Sequence, residues 1–231
     1  MRFVFPPAPQ AALAVAGSTD HFPVRRVFCV GRNYAAHARE FGNDPDRDPP
    51  FFFTKPADAV VNTPCTVPYP PLTEDLHFEI ELVIAIGKGG ADIAAADVPD
   101  HIWGASVGID LTRRDLQNEA KKMSRPWDWS KAFDHSAPIA PIVPMADVDR
   151  LTQGRIWLAV NGEIKQDADI ADLIWPVADH IATLSQAMTL APGDIIMTGT
   201  PAGVGAVTPG DVMTGGVDGI AELEVTVGPR A

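Results

Sequence analysis

The 22 prolines and 19 glycines are scattered along the 231 residues instead of pooling in one linker. Proline removes a backbone donor and glycine weakens regular structure, so the chain is expected to consist of many short elements joined by turns. RVFCV (26–30), FFFT (51–54), FEIELVIAIG (78–87), RIWLAV (155–160), DIIMTG (194–199) and IAELEVTV (220–227) have strand composition and length. WGASVGID adds a strand of small residues ending at Asp110. Asn161-Gly162 predicts a tight hairpin turn between RIWLAV and EIKQ, because both residues tolerate positive φ. Helices are expected over 33–40, over 112–122 with Thr112 as capping hydroxyl, and from Pro176 through PVADHIATLSQAM, with Pro192-Gly193 as the stop. The fold class is therefore α+β and strand-dominated. FGNDPDRDPP (41–50) is a polar loop of a length that suits a lid.

Within FEIELVIAIG, Phe78, Ile80, Leu82, Ile84 and Ile86 form one apolar face, and Glu79, Glu81, Val83 and Ala85 form the other. Side chains two apart on a strand point the same way, with Cα atoms about 6.5 Å apart, so both carboxylates can lean onto one ion. A solvated face is the plain alternative. Because this face turns apolar at Val83, the glutamates are expected at a burial boundary, where two like charges favour a cation. Asp110 is a candidate third ligand, or else a helix N-cap. An all-carboxylate donor set suits a hard ion, Mg²⁺ or Mn²⁺ with Ca²⁺ as a further option.

His37 and Glu40, three apart in NYAAHARE, share a helix face; such a pair is either a surface contact or a carboxylate-oriented base able to activate water. Lys55 and Lys131 are cations among apolar neighbours, and Arg32 and Arg114 are further candidates for holding an acid. GTPAGVG (199–205) follows a strand, but Pro201 and the lack of a following helix pattern exclude a dinucleotide or nucleotide-phosphate loop. It is expected to be a turn whose amides, with the hydroxyls of Thr198 and Thr200, can receive a carboxylate, or else an ordinary glycine-rich turn.

A formal net charge of −12 disfavours nucleic acid and anionic membrane as partners. The prolines at 6, 7 and 9 interrupt any signal-peptide core, and no apolar run approaches membrane-spanning length, so a cytoplasmic location is expected. Cys29 and Cys65 lie far apart and outside any CxxC spacing, which suggests reduced thiols without a disulfide or thiolate site.

VGRNYAAHARE, FFFTKPADAV, FEIELVIAIG, GIDLTRRD, WSKAFD and GDIIMTGTPAGVG, in this order, resemble the fumarylacetoacetate hydrolase family from Arg25 to Asp211. DPDRDPPFFFTKPADAVV and KAFDHSAPIAPI resemble the branch that hydrolyses fumarylpyruvate in aromatic degradation. The resemblance implies a mixed β-roll with few helices, a homodimer, an N-terminal extension (1–24) and a catalytic domain (25–231). It implies Glu79, Glu81 and Asp110 as metal ligands and His37 with Glu40 as a catalytic pair on a lid. Lys131 is implied as an active-site lysine, and Arg32, Lys55, Arg114, Gln117 and Thr200 as residues lining the substrate pocket. The extra N-terminal domain of the larger eponymous enzyme is expected to be absent, and with it some of that enzyme's catalytic groups.

The implied reaction is metal-dependent cleavage of a C–C bond in an acylpyruvate, 3-fumarylpyruvate giving fumarate and pyruvate. Decarboxylation of oxaloacetate, acylpyruvase activity and isomerisation or decarboxylation of 2-hydroxyhepta-2,4-diene-1,7-dioate use the same architecture. A non-catalytic oxo-acid binding protein would keep the acids without needing a base, and a structural domain would bind no ion.

Overall fold

The computed structural model describes residues 2–35, 49–148 and 150–231. A mixed sheet runs in the order Phe51–Lys55, Arg26–Gly31, Asp194–Met197, Ile80–Ile86, Ile102–Ile109, Ala137–Ile139, Val60–Asn62, with Val143–Pro144 also paired to Ile102–Ile109. Asp194–Met197 lies parallel to Arg26–Gly31, whereas Ile80–Ile86 is antiparallel to both of its neighbours. A second sheet, Glu163–Asp169, Arg155–Val160, Val212–Val217, Ala221–Arg230, Cys65–Tyr69, packs against the first. The result is strand-dominated, as the turn-rich sequence implies, and has the rolled sheets and few short helices that the family resemblance implies.

Ile80–Ile86 is central and buried along its whole length. Ile80, Leu82, Ile84 and Ile86 pack with Ile156, Leu158 and Val225 of the second sheet. Val83 and Ala85 face a separate core containing Leu13, Val15, Phe22 and Val24, from the hairpin Ala12–Ala14/His21–Pro23 and its flanks. Fully burying a side chain of leucine or isoleucine size stabilises by roughly 1.5–3 kcal/mol, which makes this strand the spine of the molecule. Glu79 and Glu81, expected at a burial boundary, are themselves buried, 6% and 2% exposed, while the N-terminal hairpin covers Val83 and Ala85 farther along the same face.

Several expected elements change at their ends. FEIELVIAIG breaks at Glu79: Leu76–Phe78 belongs to a small sheet with Thr112–Arg113 and Gly205–Val207, and the longer strand begins at Ile80. The helix expected from Thr112 runs over Arg114–Lys122, without a side-chain cap, because Thr112 and Arg113 pair as a strand. Asp110 thus ends a strand four residues before the helix and does not cap it. The last helix, Val177–Ala187, stops at Met188, ahead of Pro192-Gly193. Asn33 and Tyr34 lie outside any helix: Tyr34 bridges to Leu173, and the Asn33 amide donates to Trp175 O and Thr198 O at 3.0 and 2.8 Å. Asn161 and Gly162 form the anticipated turn, at φ 52° and 83°. No helix among the described residues is long and apolar enough to cross a membrane.

Candidate metal and oxo-acid site

Glu79, Glu81 and Asp110 converge, each offering a carboxylate oxygen within 4.8 Å of the others, and all three are buried. Their meeting follows from the sheet. Glu81 on Ile80–Ile86 pairs across from Gly108 on Ile102–Ile109, so the end of the second strand brings Asp110 beside the start of the first. The Asp110 amide donates to Glu79 O at 2.8 Å, and the Ile80 amide donates to the Gln166 side chain at 3.0 Å. These two bonds pin the jog between the strands that aims Glu79 inward.

Buried cations surround the acids. Lys131 Nζ donates to Glu79 Oε2 at 2.7 Å, Asp110 Oδ2 at 2.5 Å and Thr112 Oγ1 at 2.6 Å. Burial opposes its charge, but Asp110 and Glu79 outweigh that cost, and its pKa is raised. A single helical turn, Asp128–Lys131, delivers this lysine. Arg114 pairs with Glu79 Oε1 and donates to Gln117 Oε1 at 2.5 Å and to His77 Nδ1 at 3.3 Å. Since arginine only donates, Gln117 must turn its oxygen to Arg114, leaving its NH₂ as the group to offer elsewhere. Lys55 Nζ sits 2.8 Å from Asp110 Oδ1 and donates to Lys131 O and Leu111 O.

Burial, reinforced by Asp110 and Glu79, holds the Glu81 carboxyl well above the usual carboxylate range, although the Gly199 amide donates to its Oε2 at 2.8 Å. Gly199 is at φ +99°, and a Cβ there would lie 2.7 Å from the Asn33 Cβ, so this position of the turn requires glycine. The turn amide does receive a carboxylate, namely that of Glu81. Thr200 Oγ1 accepts from Gln166 Nε2 at 2.8 Å, which leaves its own proton to donate.

The donors fit a hard divalent cation. All are carboxylate oxygens, Asp110 Oδ1 is buried with no hydrogen bond of acceptable geometry despite the nearby ammonium, and the burial and neighbouring acids that oppose the Glu81 charge are what a bound cation would offset.

One cavity is lined by Glu79, Glu81, Arg32, Arg114, Gln117, Lys131 and Thr200. It also takes in Phe53, Lys121 and Trp127, which sequence reading missed. Arg114, Gln117 and Lys121 stand at helical spacing on one face, a signal that could have found Lys121. Gln166 carried no such signal, since it is buried in an otherwise exposed hairpin strand. Lys55, expected to line the pocket, lies behind the acids and spends its contacts on protein. His37, Glu40 and residues 41–48 of the expected lid lie outside the described residues. A larger apolar groove of about 450 Å³ beside Val98, Leu151 and Val177 has no carboxylate among its described lining residues.

A curled mixed sheet presenting Glu79, Glu81 and a lysine to one cavity, with Asp110 buried beside them, defines a class. Residues 26–228 match the model of the fumarylacetoacetate hydrolase C-terminal domain, and the chain belongs to that family. It is 51% identical to fumarylpyruvate hydrolase from Pseudomonas aeruginosa, whose crystal structure holds Mn²⁺ and pyruvate; the match covers 99% of this chain and 100% of that one at a TM-score of 0.97. A fumarylpyruvate hydrolase from a Ralstonia species is 48% identical over 179 residues, 78% of this chain and 93% of that protein. The mitochondrial oxaloacetate decarboxylase of Dictyostelium discoideum is 40% identical over 197 residues, 85% of this chain and 90% of that protein.

Proposed function

We propose that this chain is a divalent-metal-dependent hydrolase that cleaves 3-fumarylpyruvate into fumarate and pyruvate. The observation that carries this reading is the convergence of three buried carboxylates, two of them bonded to Lys131, at the edge of one cavity, in a chain about half identical to fumarylpyruvate hydrolases. Glu79, Glu81 and Asp110 would hold Mg²⁺ or Mn²⁺, with Ca²⁺ as a further option. The ion, when bound, supplies positive charge beside the negative charge that develops on the pyruvate fragment.

The protein groups do the rest. Three acids face Lys55, Lys131 and Arg114, so their formal charges already balance. A divalent cation and a doubly charged substrate then enter together without net charge. Gln117 NH₂ and the Thr200 hydroxyl offer donors to substrate oxygens, while Lys131, kept protonated, stabilises developing negative charge. His37, oriented by Glu40, removes a proton from water, which attacks the 4-oxo carbon. The C3–C4 bond breaks, its electron pair passes to C3 of the pyruvate fragment, and that carbon takes up a proton. The segment 40–50 serves as the lid that excludes water during the step.

An ultraviolet assay with fumarylpyruvate, acetylpyruvate and oxaloacetate, each with Mg²⁺, Mn²⁺ or chelator, tests the proposal. Metal-dependent loss of fumarylpyruvate supports it, and full activity in chelator refutes it. The second reading, action on oxaloacetate, is favoured by the 40% identical decarboxylase, and turnover confined to oxaloacetate would establish it. We take residues 25–231 as the catalytic unit and 1–24 as an extension, supported by the family match over 26–228. We also propose a cytoplasmic location; a homodimer is the assembly the family resemblance implies, and sedimentation at monomer mass would overturn it.

A further inference from the structure

The acids and Lys131 account for one end of the cavity, and its aromatic wall is the part still without a role. Phe51 and Phe53 contact the Trp127 ring, with centroids 5.4 and 5.7 Å apart. Each ring carries a cation: Lys131 Nζ lies 5.0 Å from the Phe53 centroid, Lys121 Nζ 5.2 Å from that of Trp127, and the Arg32 guanidinium 5.3 Å from that of Phe51. Lys131 is committed to the acids. Lys121 and Arg32 lie on the same wall, and both line the cavity.

We propose that Lys121, together with Arg32, receives the far carboxylate of a dicarboxylic acylpyruvate and so selects a diacid over a simple acyl chain. The inference rests on the acylpyruvate reading above. A flat unsaturated acyl chain lies along the rings, and its terminal carboxylate meets two cations already turned toward the wall. The charge environment agrees. Burial, with Arg114 and Arg32 nearby, pushes the Lys121 ammonium down to about 8, and an anion seated there reverses that pressure. Position agrees as well, since Lys121 lies two helical turns from Arg114 on the face that carries Gln117, so one helix addresses both ends of the substrate.

The test uses the full-length, Mn²⁺-loaded protein and two ligands of equal chain length, 2-oxoheptanedioate and 2-oxoheptanoate, which differ only in the far carboxylate. Calorimetry should show that the wild type prefers the diacid. Lys121→Met should reduce that preference roughly 10- to 100-fold, the worth of one charge-assisted hydrogen bond, and Lys121→Arg should keep most of it. The kcat/KM ratio of fumarylpyruvate to acetylpyruvate should fall by the same factor, chiefly through KM for fumarylpyruvate. An unchanged preference in Lys121→Met, or equal weakening of both ligands, would overturn the proposal. If the wild type hydrolyses neither acylpyruvate, the functional reading fails while the binding comparison still decides the subsite.

Discussion

Replacing Lys55 by Met separates two roles for a cation that sequence reading places in the substrate pocket. Both Lys55 and Asp110 have fully buried side chains, 2.8 Å apart at the closest N–O approach, and Lys55 also satisfies the carbonyls of Leu111 and Lys131. Methionine keeps the length of the stem but leaves the Asp110 charge and two carbonyls under-satisfied. Breaking a buried pair on one side costs about 3–5 kcal/mol. In a domain of this size each kcal/mol moves the melting point by about 2–4 °C, so a fall of about 10 °C is expected in chelator. Because a bound cation restores positive charge next to Asp110, saturating Mn²⁺ should raise the variant's melting point more than that of the wild type. Thermal unfolding followed by circular dichroism, with EDTA and with Mn²⁺, measures both effects. A variant that melts with the wild type in EDTA and loses only substrate affinity would refute this reasoning and return Lys55 to the pocket.

Glu81→Gln mimics the protonated form that the raised pKa favours without metal, so its stability in chelator should stay within about 1 kcal/mol of wild type. Its Mn²⁺ affinity, measured by calorimetry, should fall at least ~100-fold, since even residues that merely orient ligands cost 10–100-fold. His37→Ala should lose turnover while binding oxalate normally; retained turnover in a stopped assay would remove the proposed base. His180 is buried, bonds Trp175 O through Nδ1 at 3.2 Å, and has its pKa lowered to about 4 by burial. The unfolded chain therefore takes up a proton first as pH falls: stability contributed by the neutral ring is complete above about 6.5 and declines toward pH 4, by about 3 kcal/mol in all. In urea titrations His180→Phe should flatten that part of the pH profile, and an unchanged slope would assign it elsewhere.

Much of the sheet is legible in order and type because its strands carry their own signal. RVFCV, FFFT, RIWLAV and DIIM form strands where expected, and Asn161-Gly162 closes its hairpin through two positive φ angles. The break at Glu79 is invisible locally. Apolar alternation continues from Phe78 to Ile80, and only partners distant in sequence, Thr112–Arg113 on one side and the Gln166 amide on the other, divide the strand. The ligand trio is legible as residue types at suggestive spacing, but the depth of its burial is not, because the groups that enclose it, Lys55, Arg114, Lys131 and the Gly199 amide, come from distant parts of the chain. Lys121 was within reach through its helical spacing from Arg114 and Gln117, whereas Lys55 reads alike as a pocket cation or a buried counter-ion.

Sequence alone determined the chemical palette: hard oxygen donors, a candidate water-activating pair, and enough short β-prone segments to demand a strand-built fold. Those properties live in residue type and in spacings of two to four, which the covalent chain sets directly. Tertiary structure decided which charges meet, that Lys131 bridges Glu79 and Asp110 while Lys55 backs Asp110 from behind, and that Arg32 and Lys121 share an aromatic wall. Such pairings join residues tens of positions apart. Sheet register and burial fix their distances, and no local property of the chain encodes them.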